Sequence, residues 1–265
     1  MDKTLSTKTT AKSKSLERSI AILRALASPQ SRGLALVELA RFTGLPHPTV
    51  LRLLRQLSDE GFVVMRQPER RYVLGPLAFE LGLAAADQFD IREHAVHSMN
   101  NLLSATQETC YLVVRSGTEA VCVDRREGTS PIRVLTLNIG SRRPLGVGAA
   151  GLAILSSLPD DESGRLIENL EERLRPFNRL TTGDLREHVA ETRNRGFAVS
   201  SNWVTLGVTG IGVAIFDANR RPYAAVSVAA VSHRIPADRW SEIAAVLQGQ
   251  AKLIEGSMQA ATRNA

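Results

Sequence analysis

Three glycines in residues 144–153, PLGVGAAGLA, stand at the spacing G-x-G-x-x-G: Gly146, Gly148 and Gly151. In dinucleotide-binding folds this pattern lets the backbone turn sharply and approach a pyrophosphate at a helix N-terminus. A second chemistry-bearing set lies well upstream. His47, Pro48, Thr49, Arg52, Arg55 and Gln56 sit close together, and Arg66, Arg70 and Arg71 follow soon after. Guanidinium, amide and hydroxyl groups in that number can hydrogen-bond phosphates and base edges. Signatures of catalysis are missing: there is no G-x-S-x-G, H-E-x-x-H, P-loop or C-x-x-C. The five histidines fall in no catalytic pattern, and the three-residue spacing of His94 and His97 is better explained by surface polarity than by a metal. No catalytic residue, metal or cofactor is therefore expected.

Charge shows which set belongs to which module. The chain of 265 residues carries a net charge of +6. Residues 1–76 hold 13 Lys+Arg and 6 Asp+Glu, a balance of +7, and the remainder holds 20 and 21, a balance of −1. A basic module for a polyanion, joined to a near-neutral domain with another task, follows from this asymmetry. With 43% hydrophobic residues there is ample material for packed cores. No apolar run is long enough to span a bilayer. The start, MDKTLSTKTTAKSKS, lacks the apolar stretch of a signal peptide and reads as a disordered basic tail over 1–14. Cys110 and Cys122, each inside an apolar run, read as buried thiols of a protein in a reducing compartment, the cytoplasm.

The elements that position the basic set can be read directly. Residues 15–28 predict a helix with Ser15 as N-cap and Leu16, Ile20, Leu23 and Ala27 on one stripe. Residues 34–46 predict a second helix stopped at Gly44. A third opens near Pro48, with Val50, Leu53, Leu54 and Leu57 as its buried face, and Gly61 ends it. This is a helix-turn-helix pattern. Opposite the leucines lie Thr49, Arg52, Arg55 and Gln56, with His47 at the edge. That face fits base and phosphate recognition, and a solvated amphipathic helix would expose arginine as well. Residues 61–75, GFVVMRQPERRYVLG, predict a hairpin bearing Arg66, Arg70 and Arg71 at or near its tip, which favours a DNA-binding winged helix over 15–76.

The segments LERSIAILRAL, LVELARFTGLPHPTVLRLLRQLSDEGFV and RYVLGPLAFELG resemble the DNA-binding domain and linker of the IclR family of bacterial transcriptional regulators. The resemblance rests on Gly44-Leu45-Pro46, Thr49, Arg52-Leu53-Leu54, Gly61 and Tyr72-x-Leu74-Gly75 in combination, and it runs to the end of the chain. Pro48 departs from it, since the family more often has a small or polar residue there. The resemblance implies a linker helix over 77–90, though an ordinary domain-edge helix reads equally well. It also implies a GAF-like effector-binding domain over 91–262, and a homodimer or dimer of dimers on a palindromic double-stranded operator.

Residues 109–128 predict a hairpin, 131–145 another extended stretch, and 151–174 two helices parted at Pro159. A helix capped by Thr182 and stopped by Gly196, a hairpin over 207–232 and a closing helix complete the order. Hairpins with helices between them mean α+β rather than alternating βαβ. The glycine motif follows the polar GSRRPL, and no hydrophobic parallel strand succeeds it, so dinucleotide binding is not expected. Two accounts remain for the element. Either Gly148, Ala149, Ala150 and Gly151 expose backbone N–H groups to a carboxylate effector, or the small residues only permit close helix–sheet packing.

In the family this element borders the effector pocket and carries a basic residue where Leu152 stands. Further departures are Ser200, Asn202 and Trp203 in place of acidic residues, with Gly210 and Ala214 in place of Cys or Ser and Pro. Ser227 matches a position that can face the ligand. These features suggest an organic-acid or aromatic effector with apolar surface. Asp124 either contacts a polar group or caps a turn. The expected function is an effector-controlled, sequence-specific regulator. The alternatives are an effector-independent architectural DNA binder and a small-molecule enzyme.

Overall fold

A computed structural model of the chain describes residues 5–28, 32–89, 91–177 and 180–264. It divides into two compact units, Met1–Asp90 and Ile91–Ala265.

The first unit holds helices α1 (Leu5–Leu26), α2 (Leu36–Thr43) and α3 (His47–Asp59), the hairpin β1 (Val63–Arg66) and β2 (Arg71–Leu74), and helix α4 (Pro76–Phe89). Helix α1 begins before Ser15, so Ser15 lies inside it, and residues 5–14 are helical rather than an unstructured tail. No Gly or Pro interrupts this stretch, and nothing in it ends a helix. Residues 1–4 of the expected tail lie outside the described residues.

The buried face of α1 is Ile22, Ala25 and Leu26, while Leu16 and Ile20 of the expected stripe are exposed. Both sets satisfy helical spacing, so periodicity alone could not choose between them. Gly44 caps α2 in the left-handed region at φ 66°, a conformation that costs glycine nothing. Val50, Leu53, Leu54 and Leu57 of α3 are buried as their spacing requires. They pack with Ile22, Leu39 and Val63 in one core, and each buried leucine contributes about 1.5–3 kcal/mol. The hairpin is tied down by a reciprocal backbone pair between Leu34 and Tyr72, at 2.9 and 2.8 Å.

The second unit opens with α5 (Ile91–Thr106), then β3 (Thr109–Ser116), β4 (Glu119–Arg126) and β5 (Arg142–Pro144). Next come α6 (Ala149–Ser156), α7 (Asp160–Glu168), α8 (Glu171–Leu174) and α9 (Thr182–Arg195). Strands β6 (Ala198–Ser201), β7 (Val208–Phe216) and β8 (Pro222–Val231) precede α10 (Trp240–Asn264). The six strands form one sheet in the order β5-β4-β3-β8-β7-β6, antiparallel at every pairing. Helices α5 and α10 cover one face, and α6, with α9 behind it, covers the other. Burial on both faces explains why β7 and β8 are almost continuously apolar instead of alternating with polar residues.

Strand alternation sends Cys122 and Cys110 into cores on opposite sides of the sheet. Both are free thiols, and burial pushes each up to about 12.

Two expectations shift. The N-cap of α9 is Thr181, whose hydroxyl accepts from the Asp184 N–H at 3.1 Å, not Thr182. Of the extended stretch 131–145, only Arg142–Pro144 joins the sheet. Gly140 and Ser141 still bond the Cys122 backbone at 2.7 and 3.0 Å, and farther back Tyr111 Oη donates to the Val134 carbonyl at 2.6 Å and accepts from the Thr136 N–H at 3.1 Å. Ile132, Leu135 and Ile139 are left exposed.

Candidate DNA-reading helix and ligand cavity

Helix α3 separates its residues cleanly. Val50, Leu53, Leu54 and Leu57 are buried, whereas His47, Pro48, Arg52, Arg55 and Gln56 are exposed and Thr49 and Leu51 are half-buried. Arg52 Nη1 donates to Gln56 Oε1 at 3.3 Å, one turn along, which sets the two heads side by side. The helix starts without a side-chain cap. Pro48 has no N–H, and the Thr49 and Val50 N–H groups bond the Pro46 carbonyl, so the first turn offers the single backbone donor of His47. The side chains, rather than the helix terminus, carry the polar chemistry of this face.

On the wing, Arg66 and Arg70 are exposed beside the turn. Arg71, expected with them, is engaged inside the protein. Its Nε donates to the Gly33 carbonyl at 2.8 Å and its Nη2 to Glu38 at 2.8 Å. Glu38 also accepts from the Ala35 N–H at 2.7 Å. The Ala35 N–H first, then Arg71, hold the Glu38 carboxyl below its usual 4.5. A carboxyl lowered by folding adds stability that is present above its unfolded value and lost as pH falls through the folded one. Acidification below the ordinary carboxylate range is thus expected to loosen the wing. Hydrogen exchange at residues 63–74 should rise there in the wild type, while Glu38→Gln flattens that pH dependence.

In the second unit, a cavity of about 590 Å³, counted to its open mouth, lies between the sheet and α6. Gly148, Ala149, Ala150 and Gly151 line it, as do Gly210 and Ser227. Gly148 is the N-cap of α6 at φ 78°, and no side chain caps the helix there. The cavity is thereby bordered by open backbone donors. Close packing operates too: a Cβ on Gly212 would stand 2.6 Å from the Ala149 carbonyl carbon and oxygen. The close-packing account of the small-residue element is thus seen directly in the contact between Gly212 and Ala149. The all-antiparallel sheet leaves no βαβ unit for a dinucleotide.

Two expected effector residues lie elsewhere. Asp124 accepts from the Arg125 N–H at 2.8 Å and from Arg126 Nε at 3.0 Å, and does not line the cavity. Trp203 packs on His188 with ring centroids 4.2 Å apart, leaving its neighbour Val204 at the cavity wall. Sequence reasoning overlooked Tyr111 and Arg143, both of which line the cavity. The available signal for Arg143 was a polar residue placed just before a buried small-residue run.

Residues 15–66 match the IclR helix-turn-helix domain, and residues 83–255 match the bacterial transcriptional regulator IclR C-terminal domain. The chain belongs to the IclR family. A helix-turn-helix domain followed by an effector-binding domain makes this IclR-family chain a transcriptional regulator of α+β architecture. It is 34% identical over 230 residues to the HTH-type transcriptional regulator KipR of Bacillus subtilis, covering 86% of this chain and 90% of that one. It is 30% identical over 244 residues to the transcriptional repressor IclR of Escherichia coli, covering 90% and 87%. Its fold is also that of an IclR homologue of Microbacterium hydrocarbonoxydans complexed with 4-hydroxybenzoate, at TM-score 0.71 and 20% identity, covering 93% and 99%. Among the described residues no helix is long and apolar enough to cross a membrane.

Proposed function

We propose that this regulator binds a two-fold symmetric operator as a homodimer or dimer of dimers, under the control of a small organic acid held between its second-unit sheet and α6. The observation that carries the DNA reading is the split of α3, with Val50, Leu53, Leu54 and Leu57 buried on one face and His47, Arg52, Arg55 and Gln56 exposed on the other, Thr49 half-buried beside them. In this reading α3 enters the major groove, and Arg66 and Arg70 of the wing meet the backbone. Pairing of two chains is supported by Phe79, Leu81 and Leu83 on α4, exposed at 67%, 50% and 58%, which a second copy would cover. The small molecule acts as a signal, not as a substrate: the relatives are transcriptional regulators. The cytoplasm is its place of action. Ligand binding shifts the population of chain pairs whose two α3 helices match the half-site spacing.

Footprinting the DNA beside the protein's own gene tests this. Two protected half-sites, about one helical turn or a whole multiple of it apart, are expected. A single unpaired half-site would contradict the two-fold arrangement. An absence of any protection, with and without added organic acids, would contradict the regulator reading.

A further inference from the structure

The arginines of the second unit are, with one exception among those that are partly buried and described, visibly paired or stacked. Arg115 meets Glu162, Arg125 meets Glu127, Arg142 and Arg173 share Glu119, Arg193 meets Asp160 and Arg234 meets Glu108. Arg143 is the exception. It rises from β5 into the cavity wall and makes one hydrogen bond, from Nη2 to the Thr136 carbonyl, and no ion pair. Burial pulls its pKa down, and the two groups that act against this, Tyr111 and Cys122, are neutral near pH 7. A guanidinium taken from water without a counter-charge is costly, so the site is incomplete as it stands.

The surroundings say what completes it. Arg143 Nη1 lies 3.6 Å from where a Cβ on Gly148 would be, so the guanidinium sits against the uncapped start of α6. Cation and helix N-terminus both favour negative charge. Ser200 and Ser227 add hydroxyls, and no carboxylate side chain lines the cavity. Leu137, Val204 and Val208 make the remaining wall apolar.

We infer that Arg143 is the specificity-determining residue of the cavity, binding the carboxylate of a compact monoanionic acid whose apolar body rests against Leu137, Val204 and Val208. This rests on the reading of the cavity as an effector site. The acid's carboxylate lies between the guanidinium and the α6 N-terminus, and any hydroxyl on its body meets Ser200 or Ser227. A neutral analogue of the same shape leaves Arg143 unpaired and is rejected for that reason.

The test uses the full chain, thermal unfolding and matched probes: benzoate, 4-hydroxybenzoate and pyruvate, each against its amide. Arg143→Gln keeps a donor for the Thr136 carbonyl and removes the charge, while Arg143→Lys keeps the charge. At least one acid is expected to raise the unfolding temperature of the wild type where its amide does not. Arg143→Gln should weaken that response roughly ten- to a hundredfold, with Arg143→Lys in between. Without ligand, Arg143→Gln should unfold no lower than the wild type, because it relieves an unpaired buried charge. Three results would overturn the assignment: equal stabilisation by acid and amide, an Arg143→Gln variant that responds as the wild type does, or no response to any acid. A structural role alone would reverse the pattern, with Gln tolerated and Lys harmful irrespective of probe. Operator binding by the same preparations separates the two claims, since its failure would overturn the regulator reading and leave the acid response standing.

Discussion

Alanine at Arg52 or Arg55 is expected to weaken operator binding by about 1–3 kcal/mol at each position, roughly five- to a hundred-and-fifty-fold, if the guanidinium reads a base edge. Both side chains are exposed on α3, opposite its buried leucines, so their loss should change folding stability by less than about 0.5 kcal/mol. The two need not act alike. Arg52 donates to Gln56 at 3.3 Å, which restrains its guanidinium beside the amide. Arg55 has no such brace. Affinities for the operator and for a scrambled duplex, measured across a salt series, separate the roles. A base-reading arginine loses operator affinity and spares the scrambled duplex. A phosphate-binding one weakens both and lowers the salt slope by about one charge.

The second large effect is expected at Gly212. An added methyl there would lie 2.6 Å from the carbonyl carbon and oxygen of Ala149 and 2.9 Å from the Ala150 nitrogen. These are backbone atoms of the first turn of α6, and no flexible side chain stands between to give way. Gly212→Ala must push α6 off the sheet, at about 1–3 kcal/mol or more. The first turn of α6 also borders the cavity, so ligand response should fall together with stability. Two calorimetric transitions would locate the damage, with the second unit unfolding earlier and the first unchanged. A variant that unfolds like the wild type and responds equally to ligand would show that the helix–sheet contact is slack.

Much of this was legible in the residues. The i, i+3, i+4, i+7 spacing of Val50, Leu53, Leu54 and Leu57 placed α3 and, by subtraction, its exposed polar face. Gly44 and Gly196 ended their helices as left-handed caps. What stayed hidden depended on tertiary partners. Helix α1 carries apolar residues on two sides, and only packing against α2 and α3 chose Ile22, Ala25 and Leu26 over Leu16 and Ile20. Arg71 looks like a wing-tip cation until Glu38, far off in sequence, is seen to hold it. Asp124 and Trp203 lie near cavity residues in sequence, yet Asp124 pairs along its own strand with Arg126 and Trp203 packs on His188. For Arg143 the local signal marks only a polar residue before a buried run, whereas the lack of a carboxylate along the cavity wall is set by tertiary partners.

The central claim is that α3 reads sequence rather than charge. The most direct test is the pair of dissociation constants of the full chain for its operator and for unrelated DNA of equal length, each at two salt concentrations. A preference of about a thousandfold or more, retained when higher salt weakens both, is the predicted result. Equal affinities falling along the same salt slope would contradict it and reduce the basic first unit to an electrostatic anchor.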